Sequence, residues 1–128
     1  MSQANAVRMS SAQLAPQPGP WQVLCSRDDL VANSGVVAWF DGAQVALFYL
    51  PETEQGEQVF AIENRDPKSG ANVIGRGIVG RIKDEYVIAA PLYKQHFSLE
   101  DGRCLEDSEQ YLRVWSARLN GDLVEIAA

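Results

Sequence analysis

The chain is poor in the residues that usually do chemistry. Its 128 residues include two cysteines, Cys25 and Cys104, and one histidine, His96. The cysteines are far apart and form no Cys-x-x-Cys pair, so neither a zinc site nor a thioredoxin-like redox motif is indicated. A Ser-His-Asp or Cys-His arrangement would have to be built on His96, and no Gly-x-Ser-x-Gly accompanies it, which argues against hydrolysis. One histidine and two distant thiols would need carboxylates at ligand spacing to hold a metal, and none shows it. Long apolar runs are missing as well. Nothing approaches a membrane span, and residues 1–20, with Arg8 as their only charge, lack the apolar core of a signal peptide, so a cytoplasmic location is expected. In that compartment the two cysteines read as buried free thiols rather than a disulfide. A basic excess is absent too: 11 Lys and Arg against 17 Asp and Glu give a net charge of −6, which argues against nucleic acid as a partner.

What is present is β structure. Short apolar runs separated by turn dipeptides extend from Trp21 onward, while heptads and internal repeats are missing. Expected strands are Trp21 to Cys25, Val36 to Phe40, Gln44 to Leu50, Val59 to Glu63, Val79 to Ile82, Tyr86 to Ala89, Phe97 to Leu99, Leu112 to Leu119 and Leu123 to Ile126. Asp41-Gly42 and Asn120-Gly121 are hairpin signals, the second predicting a type I′ turn. One helical turn is expected around Arg27 to Val31, with Ser26 as its cap. At 46% hydrophobic and 22% charged, the chain has material for one core, giving a single all-β sandwich or barrel over residues 21–128. Residues 1–20, rich in Ser, Gln, Ala and Pro, read as a disordered tail.

Charge is unevenly spread. Residues 65–96 carry six bases and three acids, whereas the remainder carries five bases and fourteen acids. A basic segment in an acidic chain can steer docking and fix its orientation, although a solvated face without a partner is equally compatible with charge alone. Gly75-Arg76-Gly77-Ile78-Val79-Gly80 matches a Gly-x-Gly-x-x-Gly pattern but leads into a strand instead of a helix, so turn glycines are the preferred reading.

Within the basic segment lie two loop sequences, Asn64-Arg65-Asp66-Pro67-Lys68-Ser69-Gly70-Ala71 and Ala90-Pro91-Leu92-Tyr93-Lys94-Gln95-His96-Phe97-Ser98-Leu99. They are built like the two cluster-binding loops of a Rieske ferredoxin, which supply Cys-x-His and Cys-x-x-His to a two-iron cluster. The four ligand places fall at Asp66, Lys68, Ala90 and Tyr93, and none is cysteine or histidine. Together with Arg76-Gly77-Ile78-Val79-Gly80 and Asp101-Gly102-Arg103-Cys104-Leu105-Glu106-Asp107, these segments resemble the small-subunit family of cytoplasmic NAD(P)H-dependent nitrite reductases. The resemblance runs from about Trp21 to the C-terminus.

The resemblance implies a Rieske-like β domain with a small degenerate cluster-binding sub-domain. It implies no two-iron cluster and no autonomous catalysis in this chain, which serves nitrite reduction to ammonium. FAD, an iron-sulfur cluster and siroheme are implied in a large partner subunit. Lys68, Tyr93, Lys94 and His96 are the expected centre of the contact with that subunit, with Arg76 at its edge. In the competing structural role, Tyr93 fills the volume left by the cluster and Asp66 pairs with Lys68 to tie the loop. A ferredoxin-type electron carrier and a β-domain interaction module unrelated to nitrogen metabolism are the alternatives.

Overall fold

The computed structural model describes residues 20–127, so the expected tail, apart from Pro20, lies outside the described residues. The chain forms β1 (Gln22–Ser26), β2 (Gly35–Phe40), β3 (Ala43–Thr53), β4 (Gly56–Glu63), β5 (Ile78–Ile82), β6 (Glu85–Ala89), β7 (His96–Ser98), β8 (Val114–Asn120) and β9 (Leu123–Ala127). The helical turn after β1 is a single 3₁₀ turn, Arg27–Asp29. The Ser26 side chain accepts from the Asp28 amide and Asp29 reaches back to the Ser26 amide, which satisfies two otherwise unpaired donors.

Six strands form an antiparallel sheet in the order β1-β9-β8-β4-β3-β2, whose edge strands β1 and β2 approach each other in a nearly closed barrel. β5, β6 and β7 form a second antiparallel sheet. Strand alternation divides β3 and β4 between two cores. Val45, Leu47, Val59 and Ala61 join Trp115, Val124 and Ile126 in one of them. Ala46, Phe48, Leu50 and Ile62 turn the other way, against Ile74, Ile88, Phe97, Leu99 and Leu112. A strand buried on both faces needs an unbroken apolar run, and Val45-Ala46-Leu47-Phe48 is that run. Each large side chain so buried contributes about 1.5–3 kcal/mol, and the second core holds the small sheet on the barrel.

The hairpins follow the sequence with one slip. Asp41 and Gly42 both have positive φ between the paired Phe40 and Ala43, as a type I′ turn requires. At the other hairpin Asn120 belongs to β8 and pairs with Leu123, so the loop is Gly121-Asp122. Only Gly121 has positive φ, the pattern of type II′, and the expected I′ turn at Asn120-Gly121 is corrected accordingly. β3 and β4 are longer than expected because a bulge between Leu50 and Thr53 lets Pro51 sit in a strand without breaking the pairing. Cys104 is buried and Cys25 half-buried, both free; burial pushes both thiols up, with Asp29 adding to the effect at Cys25.

A Cβ at Gly121 would meet nothing within 4 Å, so the residue is required for its φ of 60° alone. Gly121→Val is expected to cost about 1–2 kcal/mol, read as a lower melting temperature, since a β-branched residue resists the left-handed region. An unchanged melting temperature would contradict the turn.

Candidate functional site

The first loop of interest, residues 64–77, joins β4 to β5; the second, residues 90–95, joins β6 to β7. Asn64 anchors the first. Buried at the end of β4, it accepts from the Gly75 amide at 2.7 Å through Oδ1 and donates to Gln44 Oε1 at 2.9 Å through Nδ2. A Cβ on Gly35 would collide with the Gly75 carbonyl, so β2 is pressed against this loop.

The two loops close in the same way. In the first, the Gly70 amide donates to the Asp66 carbonyl at 2.7 Å and the Asp66 amide to the Ala71 carbonyl at 2.8 Å. In the second, the Lys94 amide donates to the Ala90 carbonyl at 3.0 Å and the Ala90 amide to the Gln95 carbonyl at 2.8 Å. The residue four places on has positive φ in each, 78° at Gly70 and 54° at Lys94. Each loop is thus a ring sealed by its own backbone.

This geometry puts the four degenerate ligand places in two layers. Asp66 and Ala90, the expected positions of the thiolates, are 0% and 1% exposed. Lys68 and Tyr93, the positions of the imidazoles, are exposed, and the Lys68 ammonium lies 4.6 Å from the Tyr93 ring centroid. Such a contact contributes about 0.5–1 kcal/mol at an exposed site. The expected Asp66–Lys68 pair takes another form: Asp66 Oδ1 accepts from the backbone amides of Lys68 at 2.8 Å and Ser69 at 3.3 Å, the short-range habit of aspartate in turns. Asp66 Oδ2 is buried without a protein partner. Tyr93, 53% exposed, does not fill the inner volume; Ala90 is the residue packed there, in the core with Ile88 and Phe97.

A two-iron cluster does not fit this donor set. Ala90 has no donor atom, the Lys68 amine is engaged with an aromatic face, and the Asp66 carboxylate is turned onto its own loop. No group of three or more His, Cys, Asp or Glu that could hold a metal occurs among the described residues.

His96 begins β7. Its amide donates to Glu106 Oε1 at 2.8 Å and its Nδ1 lies 2.6 Å from Glu106 Oε2, so it is clamped from behind rather than free at the tip. Burial pushes the Glu106 carboxyl up, but the His96 amide and ring outweigh this and hold it below the usual carboxylate range. The clamp is therefore fully present above the ordinary carboxylate pKa and lost as pH falls through the depressed one. Arg76 is exposed at the end of a 3₁₀ turn, Ile74–Arg76, that leads into β5.

Electrostatics distinguish these loops from the rest of the surface. Arg27, Arg81, Arg103, Arg113 and Arg118 each pair with a carboxylate. Among the described residues Arg65, Lys68, Arg76, Lys83 and Lys94 have no such partner, and all except Lys83 belong to the two loops, whose one acid is the buried Asp66. Sequence reasoning counted all five of these cations in the basic segment but did not place Arg65 among the contact residues, and it gave Asn64 no role; a polar residue ending a buried strand was the available signal.

Fold and loops together define a Rieske-type β domain in which Asp66, Lys68, Ala90 and Tyr93 stand where the sequence resemblance expects cluster ligands. Residues 20–127 match the family model of the Rieske-like [2Fe-2S] domain. The nitrite reductase (NADH) small subunit of Salmonella typhimurium (strain LT2) is 39% identical over 83% of this chain and 95% of its own length. The solution structure of the nitrite reductase [NAD(P)H] small subunit from Erwinia carotovora superposes with a TM-score of 0.69 at 38% identity, over 84% of this chain and 81% of that one. A nitrite reductase [NAD(P)H] large subunit of Klebsiella oxytoca is 37% identical over 82% of this chain, a match that takes up 10% of the Klebsiella protein. The chain belongs to the nitrite reductase small-subunit family of Rieske-like domains.

Two outcomes are expected. Protein purified from an iron-replete host carries no two-iron cluster, and visible absorption with stoichiometric iron and acid-labile sulfide would contradict this. Asp66→Ala removes the acceptor for two loop amides and costs about 1–2 kcal/mol in thermal denaturation, whereas Asp66→Asn, which keeps an acceptor oxygen, costs less. Equal melting temperatures for the alanine variant and wild type would deny the aspartate its role.

Proposed function

We propose that this chain is the non-catalytic small subunit of an NAD(P)H-dependent nitrite reductase, and that it docks on the large subunit through the two loops. The observation that carries the docking surface is the concentration of carboxylate-free cations on loops that close without metal. The Klebsiella match supports the choice of partner: a segment similar to this chain lies within a protein named as a nitrite reductase large subunit there. Reduction of nitrite to ammonium, with the FAD, iron-sulfur cluster and siroheme that it requires, belongs in this reading to the large subunit. The complex operates in the cytoplasm, where NAD(P)H is available; among the described residues no helix is long and apolar enough to cross a membrane. A ferredoxin-type carrier is disfavoured by the donor set at Asp66, Lys68, Ala90 and Tyr93.

Lys68, Tyr93 and Lys94 form the centre of the contact and Arg76 its edge. His96, held by Glu106, supports the second loop from below more than it meets the partner. Comparison of the loops gives Lys94 particular weight. Glycine occupies the left-handed position of the first loop at no steric cost, while the second places a lysine there. Strain of this kind, about 1 kcal/mol or more, persists where a side chain is needed for something other than stability.

Lys94→Gly is therefore expected to keep or raise the melting temperature while weakening affinity for the purified large subunit. Tyr93→Ala is expected to cost about 2 kcal/mol or more of binding, also without unfolding the chain, and wild-type binding should weaken as salt rises. Wild-type affinity in both variants would remove the loops from the interface.

A further inference from the structure

The apolar surface nearest these cations lies on a different element. Val37 and Trp39 alternate outward on β2, 51% and 68% exposed. Trp39 lines a shallow depression with Gln44, Glu63, Arg65 and Asn72, of which Arg65 and Asn72 are bridged to each other within the first loop. Val37 flanks the same loop further along, its Cγ2 3.0 Å from where a Cβ on Gly75 would stand. Arg65 continues the surface toward the tip, donating through Nε to the Gly70 carbonyl at 3.3 Å. Beyond Gly70 come Lys68 and the Tyr93 ring. An edge strand with an exposed indole is therefore continuous with a loop surface that holds four cations and no exposed acid.

Resting on the reading proposed above, we infer that the contact with the large subunit extends from the loop tips across Arg65 to the β2 edge, with Trp39 as its apolar anchor. The partner surface it fits is acidic around an apolar recess that accepts an indole. Charge argues for this occupant over a second copy of the same chain, because another copy would bring the same unneutralised cations against these. Trp, Tyr and Arg are the residue types that dominate binding when they lie together in a water-excluding patch, and Trp39, Tyr93 and Arg65 supply one of each. Two carboxylates lie near the indole: Asp41 faces Arg113 at 3.9 Å, and Glu63, half-buried in the same depression, accepts from the Arg113 amide at 3.1 Å, so four unpaired loop cations still outnumber them.

The test is titration of the full chain against the purified large subunit from the same organism, with melting temperatures recorded beside it. Trp39→Ala is expected to weaken binding at least tenfold at an unchanged melting temperature. Trp39→Lys and Trp39→Glu remove the same indole but differ in charge, so the glutamate variant is expected to bind several-fold more weakly than the lysine variant. That difference decides the matter even if the alanine variant is less stable. Wild-type affinity in all three, with Tyr93→Ala still impaired, would overturn the extension to β2 and leave the loop interface standing. Absence of any binding by the wild-type chain would overturn the docking proposal itself and this inference with it. Trp39 variants that alter only self-association, seen by sedimentation, would also overturn it, by assigning the β2 edge to a second copy.

Discussion

The site depends on a pair of backbone closures. Gly70 to Asp66 in one loop and Lys94 to Ala90 in the other are the same four-residue step, each finished by a residue with positive φ and backed by a second bond from the amide of residue 66 or 90. A cluster that draws ligands from two loops would tie those loops together through iron. Here each ring is complete before anything else touches it, so the positions that a cluster would fix are free to change. The inner pair is an aspartate turned on its own loop and an alanine in the core. The outer pair is a cation stacked on an aromatic ring.

That division is what lets a Rieske-like fold present a loop surface of the kind proposed for docking with little change of fold. The second core, with Ile74, Ile88 and Phe97 against β3 and β4, presses the small sheet on the barrel and fixes the bases of both loops. Asn64 and the close approach of Gly35 to Gly75 then lock the first loop to β2. With the bases rigid, exposed side chains at the tips need not contribute to stability. Lys94 is held in a backbone conformation that opposes it. Elsewhere the described arginines are paired with neighbouring carboxylates, so among the described residues every cation without such a partner, except Lys83, lies on these loops.

Strand positions were legible because short apolar runs and turn dipeptides act locally: Asp41-Gly42, the Ser26 cap and the strand from Gln44 to Leu50 needed no tertiary information. Boundaries shifted where tertiary pairing overrode the local signal. Asn120 joined β8 because its pairing with Leu123 outweighed its turn preference, and the bulge after Leu50 carried β3 past Pro51. Lys83-Asp84 forms a glycine-free hairpin loop that no dipeptide rule announces. At the site, the absence of ligands was plain from residue types alone. Layering was not, since burial of Asp66 and exposure of Tyr93 follow from which way each ring faces. Trp39 could not be placed beside the loops from sequence, because the contact between β2 and residues 65–75 joins segments separated by a strand pair.

The claim that most of this rests on is that the loops hold their shape through their own backbones. Native-state amide hydrogen exchange on the iron-free chain tests it at Gly70, Lys94, Asp66 and Ala90, the four donors of the two rings. Protection at all four approaching that of the β6 amides is predicted. Exchange at the rate of an unstructured peptide at these positions, with β6 still protected, would contradict it.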